Sequence, residues 1–129
     1  DLLMNSLEMA RVVVETATLK PAVAIAAVER SWAVATDLAD ALARKGVPFH
    51  QAHKIVGRLV LESVNQGKSA MDWSAAELVA FAPEFTAEMA ALLDPREGIK
   101  TREIMGGTGP LRVAEALAAA AQRLSQMRA

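Results

Sequence analysis

Residues 35–53 read ATDLADALARKGVPFHQAH. Ala35, Leu38, Ala39 and Leu42 recur at the three- and four-residue spacing of one helix face. Gly46 reads as a stop, because glycine takes the left-handed conformation that closes a helix C-terminus without steric cost. Arg44 and Lys45 sit at the negative end of that helix's dipole. Pro48 reads as a start, since its missing N–H costs nothing in a first helical turn. A stop and a start two residues apart predict a helix–turn–helix joint. The same stretch also gathers Asp37, Asp40, Arg44, Lys45, His50 and His53, side chains that an enzyme could use.

Working outward, residues 22–44 predict one continuous helix, about 30–35 Å long at 1.5 Å per residue. Ile25, Val28, Trp32, Ala35, Leu38 or Ala39, and Leu42 form its apolar face, with Glu29, Arg30, Thr36, Asp37, Asp40 and Arg44 opposite. Lys20-Pro21 separates it from a helix over residues 2–19. There Glu8, Arg11 and Glu15 share one charged stripe. Leu3, Leu7, Ala10, Val14 and Ala17 line another face, and Met4, Met9, Val12 and Val13 extend the apolar surface around most of the circumference. Such a helix belongs inside a bundle or at a subunit interface.

Beyond the joint, residues 48–66 predict a helix with Phe49, Ala52, Val56, Leu59 or Val60, and Val64 inward. Gln51, Lys54, Arg58 and Glu62 face water. Gly57 lies inside this helix, and close approach of a neighbouring backbone is the expected reason. Residues 65–69 are a loop. Ser74 and Glu77 form an S-x-x-E capping box for a helix over 75–81, which Pro83 stops. Thr86 is expected to cap a short helix through Leu93. Residues 96–105 have no clear period and read as loop. The turn Gly106-Gly107-Thr108-Gly109-Pro110, with Thr108 or Gly109 as cap, precedes a last helix to about Gln126, with Val113, Leu117, Ala121 and Leu124 as its seam. The fold class is all-α: long bundle helices in residues 1–45, then a small C-terminal helical domain over 46–129.

Hydrophobic residues make up 53% of the 129, enough for a core in one domain. Fourteen basic against fifteen acidic residues lack the basic footprint of a nucleic-acid binder. Without cysteine there is no disulfide framework and no thiolate metal site. No uncharged run is longer than residues 21–28, which is too short to span a bilayer. The expectations are a cytoplasmic protein with no nucleic-acid, membrane or metal partner. Asp1 opens directly on a helical pattern, which suggests missing upstream sequence.

Each chemically suggestive group has a plainer reading. Asp37 and Asp40 could share a proton or hold a cation; a solvated or interface face with an Asp40–Arg44 pair explains them as well. His50 and His53 lack the further ligands that a metal would need. A hydrogen bond from His53 across the turn to Asp37 or Asp40 would fix the angle between helices. The glycine-rich turn precedes a helix N-terminus, where anions bind, but it has neither the lysine of a P-loop nor a preceding strand. No serine lies in a nucleophile motif.

Ala35-Thr36-Asp37-Leu38-Ala39-Asp40, Arg44-Lys45-Gly46-Val47-Pro48-Phe49, Ala52-His53, Ile55-Val56-Gly57, and Gly106-Gly107-Thr108 with Val113 together resemble the C-terminal part of argininosuccinate lyases, in the fumarase/aspartase superfamily. The resemblance runs over the whole chain, with Ala41 where the family usually has Tyr and His50 where Arg is common. It implies cleavage of argininosuccinate to arginine and fumarate by general acid–base elimination. It also implies a homotetramer on a central helical bundle, each active site drawn from three subunits, and no cofactor. The family's catalytic-serine loop, GSSxMPxKxN, does not occur in this sequence. The resemblance therefore assigns no catalytic or substrate-binding residue here. It leaves Asp37, Asp40, Lys45, Gly46, Pro48, His53, Gly57, Gly106, Gly107 and Thr108 as signature positions with structural roles, in a chain expected to be inactive alone and to self-associate through its long helices. A non-catalytic structural protein or helical interaction module reusing the fold is the alternative.

Overall fold

The computed structural model describes residues 1–128, and among them there are helices and turns but no strand. Seven α-helices follow in order: α1 Leu2–Thr16, α2 Pro21–Glu29, α3 Ala35–Arg44, α4 Phe49–Gln66, α5 Ala75–Phe81, α6 Pro95–Lys100 and α7 Pro110–Arg128. Two 3-10 helices, Ala70–Asp72 and Ala87–Leu93, lie between α4 and α6. Pro21 opens α2 at its first turn, as expected.

The single helix expected over 22–44 is two helices. Arg30 to Val34 form a turn between α2 and α3. Ser31 causes the break by local bonding: its hydroxyl donates to the Val28 carbonyl at 2.9 Å and accepts from the Ala33 amide at 3.2 Å. These bonds compete with the helical ladder. The turn brings Val34 into the core.

Gly46 ends α3 at φ +93°. Its amide donates to the Ala43 carbonyl at 3.0 Å and the Val47 amide to the Leu42 carbonyl at 3.1 Å, the paired bonds of a Schellman stop. Gly67, at φ +65°, repeats the arrangement after α4, through Gly67 to Val64 and Lys68 to Ser63. The helix α4 starts one residue later than expected, with Pro48 as its cap position.

One hydrophobic core occupies residues 34–93. Leu38 and Leu42 of α3 pack with Ala52, Ile55, Val56 and Leu59 of α4, and with Leu78, Phe85, Met89 and Leu93 from downstream elements. Complete burial of each large side chain stabilises the fold by about 1.5–3 kcal/mol. The inward face of α4 differs from expectation at its ends. Phe49 and Val64 are exposed, whereas Ile55 and Ser63 are buried. Ser63 is admitted because its hydroxyl is satisfied twice: it donates to the Leu59 carbonyl at 2.7 Å and accepts from Trp73 Nε1 at 2.8 Å.

The S-x-x-E box forms as read. The Glu77 amide donates to Ser74 Oγ at 3.2 Å, and the Glu77 carboxylate accepts from the Ser74 amide at 2.8 Å. Thr86 does not cap with its side chain; its hydroxyl accepts from Lys45 Nζ at 3.2 Å. The loop expected over 96–105 contains α6, because Asp94 caps it through the Arg96 amide at 2.8 Å and Pro95 occupies its first position.

Candidate functional site

The candidate residues of the joint and of the glycine-rich turn separate into three places. The first is a clamp around Asp37, which is only 7% exposed although spacing puts it on a polar face. Arg102 donates to Asp37 Oδ1 from Nε at 3.2 Å and from Nη2 at 2.9 Å, and Nη2 also reaches Oδ2 at 3.0 Å. Gly98 makes the room: a Cβ there would lie 2.7 Å from Asp37 Oδ2. A carboxylate so fully bonded to a guanidinium is a structural anion.

The second place is an open groove of about 250 Å³ between α3 and α4, lined by Thr36, Ala39, Asp40, Phe49, His53 and Gly57 among others. The expected hydrogen bond from His53 to Asp37 or Asp40 is absent. His53 is exposed, and its recorded neighbour is the Phe49 ring, with centroids 6.4 Å apart. Arg102 already occupies Asp37, and the joint is held instead by the Gly46 stop and by the packing of Leu38 and Leu42 against Ala52, Val56 and Leu59. The expected Asp40–Arg44 pair does not form either, and Asp40 stands exposed on the groove's rim. No neighbouring backbone approaches Gly57, where a Cβ would meet open space.

The third place is the glycine-rich turn. Gly106 takes φ +75°. A Cβ on Gly107 would lie 2.2 Å from the Arg102 carbonyl oxygen, so close backbone approach demands glycine. Thr108 is exposed and neither it nor Gly109 supplies a side-chain cap. Glu103 does so instead: its carboxylate accepts from the Leu111 amide at 3.1 Å and the Arg112 amide at 3.2 Å. The helix end that could have attracted an external anion is filled by the chain's own carboxylate.

Of the ten signature positions, Asp37, Asp40, Gly106, Gly107 and Thr108 meet around one shallow polar cleft with Arg44, Thr101 and Arg102. Lys45, Gly46 and Pro48 lie at the joint, and His53 and Gly57 at the groove. Arg102, Glu103 and Gly98 are the residues that sequence reasoning missed. They lie in a segment without hydrophobic period, and their partners are distant in sequence. Among the described residues no group of three or more His, Asp or Glu side chains is placed to hold a metal ion. No helix of the described residues is long and apolar enough to cross a membrane. Among the described residues of these three places, no base, nucleophile and orienting group come together. The arrangement can join and orient helices.

Comparison with known proteins agrees with this placement. Residues 32–100, more than half of the chain, match the family model described as argininosuccinate lyase C-terminal. The chain is 60% identical over 127 residues to an argininosuccinate lyase of Solibacter usitatus, covering 98% of this chain and 28% of that protein. It is 44% identical over 101 residues to one of Deinococcus radiodurans, covering 78% and 21% respectively. The enzyme of the same name in Synechococcus elongatus is 44% identical over 99 residues, 77% of this chain and 21% of its own length. The chain thus spans little more than a quarter of the longest-matching of these relatives. With the matched segment enclosing the whole hydrophobic core, the chain belongs to the argininosuccinate lyase C-terminal family.

Proposed function

We propose that this chain is the C-terminal part of a subunit that cleaves argininosuccinate to arginine and fumarate in arginine biosynthesis. Its role is assembly and closure: α1 and α2 end the central bundle, and the segment from α3 onward, which shares the hydrophobic core of residues 34–93, forms the small domain that closes over a site built elsewhere in the subunit. The active protein is a cytoplasmic homotetramer that needs no cofactor, and this chain enters it by pairing the apolar surfaces of α1 with those of other copies. The observation that carries the reading is the match over residues 32–100, which takes in every residue of the hydrophobic core. The chemistry of the polar places supports it, since the Asp37 carboxylate is spent on an ion pair and the Glu103 carboxylate on a helix cap.

The purified 129-residue chain incubated with argininosuccinate is expected to release no fumarate above the buffer rate, read by absorbance of the new double bond. Fumarate release proportional to chain concentration would overturn the assignment of catalysis to other segments.

A further inference from the structure

The last helix adds nothing to the hydrophobic core. Leu111, Val113, Leu117, Leu124 and Met127 of α7 are all exposed. Its direction is therefore not set by apolar burial within this chain. What meets its N-terminus is a continuous polar path. Asp37 of α3 is held on three hydrogen bonds by Arg102. The Arg102 carbonyl accepts from the Gly109 amide at 3.1 Å. The next residue, Glu103, takes the Leu111 and Arg112 amides on its carboxylate, and Arg112 Nε returns to the Glu103 carbonyl at 3.4 Å.

Three glycines leave the space for this path. A Cβ on Gly98 would strike the Asp37 carboxylate at 2.7 Å, one on Gly107 the Arg102 carbonyl at 2.2 Å, and one on Gly109 the Glu103 carboxyl carbon at 2.5 Å. A side chain at any of the three would displace a group of the path, at Gly107 the backbone itself. A turn that merely connected two helices would need glycine at Gly106, where φ is +75°, and not at the other positions.

We propose that Asp37, Arg102 and Glu103 form a clamp that fixes the direction of α7 relative to α3, so that α7's apolar seam is presented at one angle. Two elements of the clamp act differently. The Asp37–Arg102 pair ties the turn to the core, and its two-pronged geometry resists rotation. Glu103 then ties the first turn of α7 to that anchored backbone through the helix's unpaired amides.

The absence of cysteine makes the test direct. Spin labels at Arg58→Cys on α4 and Arg123→Cys on α7 report the distance between core and last helix by double electron–electron resonance, in labelled chain diluted with unlabelled chain. The unsubstituted clamp should give one narrow distance peak. Glu103→Ala and Arg102→Gln should each lose that peak to a broad distribution, with the fluorescence of Trp32 and Trp73, both packed in or against the core, unchanged as the sign of an intact core. Should Arg102→Gln disturb the core, Glu103→Ala decides alone, because its side chain bonds only the start of α7. A broad distribution in the unsubstituted chain, or a narrow peak kept in Glu103→Ala, would overturn the clamp.

Discussion

Asp37 and Asp40 occupy equivalent positions on one helix, three residues apart, yet one is buried and the other open. The difference lies in Arg102, sixty-five positions away, and no local pattern carries that information. This is why the candidate site was only half legible: the signature residues could be listed, but not their partners. Removing the partner should leave a buried carboxylate unpaired. Arg102→Ala is expected to lower unfolding free energy by about 2 kcal/mol in a urea titration, at the modest end for such pairs because the guanidinium is partly solvated. Gly98→Ala, which would push a methyl group against the same carboxylate, should destabilise by about 1–3 kcal/mol. Glu77 makes a prediction in pH. The bond from Lys68 first, then those from Ser74, lower its carboxyl from the usual 4.5 to about 2. A depressed folded-state pKa gives a contribution that is complete above the unfolded value and is lost as pH falls through the folded one. Stability should therefore decline from about pH 4.5 towards pH 2, and Glu77→Gln should flatten that part of the profile.

At the scale of elements, the signals that were read correctly are the short-range ones. The Gly46 stop and the Ser74–Glu77 box depend on residues within four positions of each other, so sequence contains all their parts. The break between α2 and α3 escaped notice because apolar spacing continues through it, while the deciding bonds come from one serine. The start of α7 at Pro110 was legible, but its cap was not, being Glu103, outside the helix and its turn. For α4, an apolar face drawn from periodicity included Phe49 and Val64 and omitted Ser63; only the structure reveals that the Trp73 indole needs that hydroxyl. Gly57 offers a clean test of the element's intrinsic stability. With open space around its missing Cβ, Gly57→Ala should raise the thermal midpoint of the isolated chain, by roughly 1 kcal/mol in stability. A fall would mean that the groove closes on this position in solution.

Across the whole molecule, the core is confined to the middle of the chain, and both ends present apolar residues outward. Leu2, Leu3, Met4, Leu7, Met9 and Val14 of α1 are more than half exposed, as are Leu117 and Leu124 of α7. A surface of this kind requires partners. In sedimentation, the isolated chain is expected to show self-association that grows with concentration, and a stable monomer at tens of micromolar would argue against α1 as an assembly helix. The all-α class and the joint at Gly46 were legible because hydrophobic period and helix punctuation agree there. What covers the two ends was not, because hydrophobic period marks an apolar face without naming the surface that packs on it. The central claim is that this chain supplies the closing and assembling part of a lyase subunit whose chemistry resides elsewhere. Its most direct test is a chimera in which this chain replaces the homologous part of the Solibacter usitatus relative, assayed for fumarate release from argininosuccinate. An active tetramer is expected; a chimera that assembles but releases no fumarate would contradict this role.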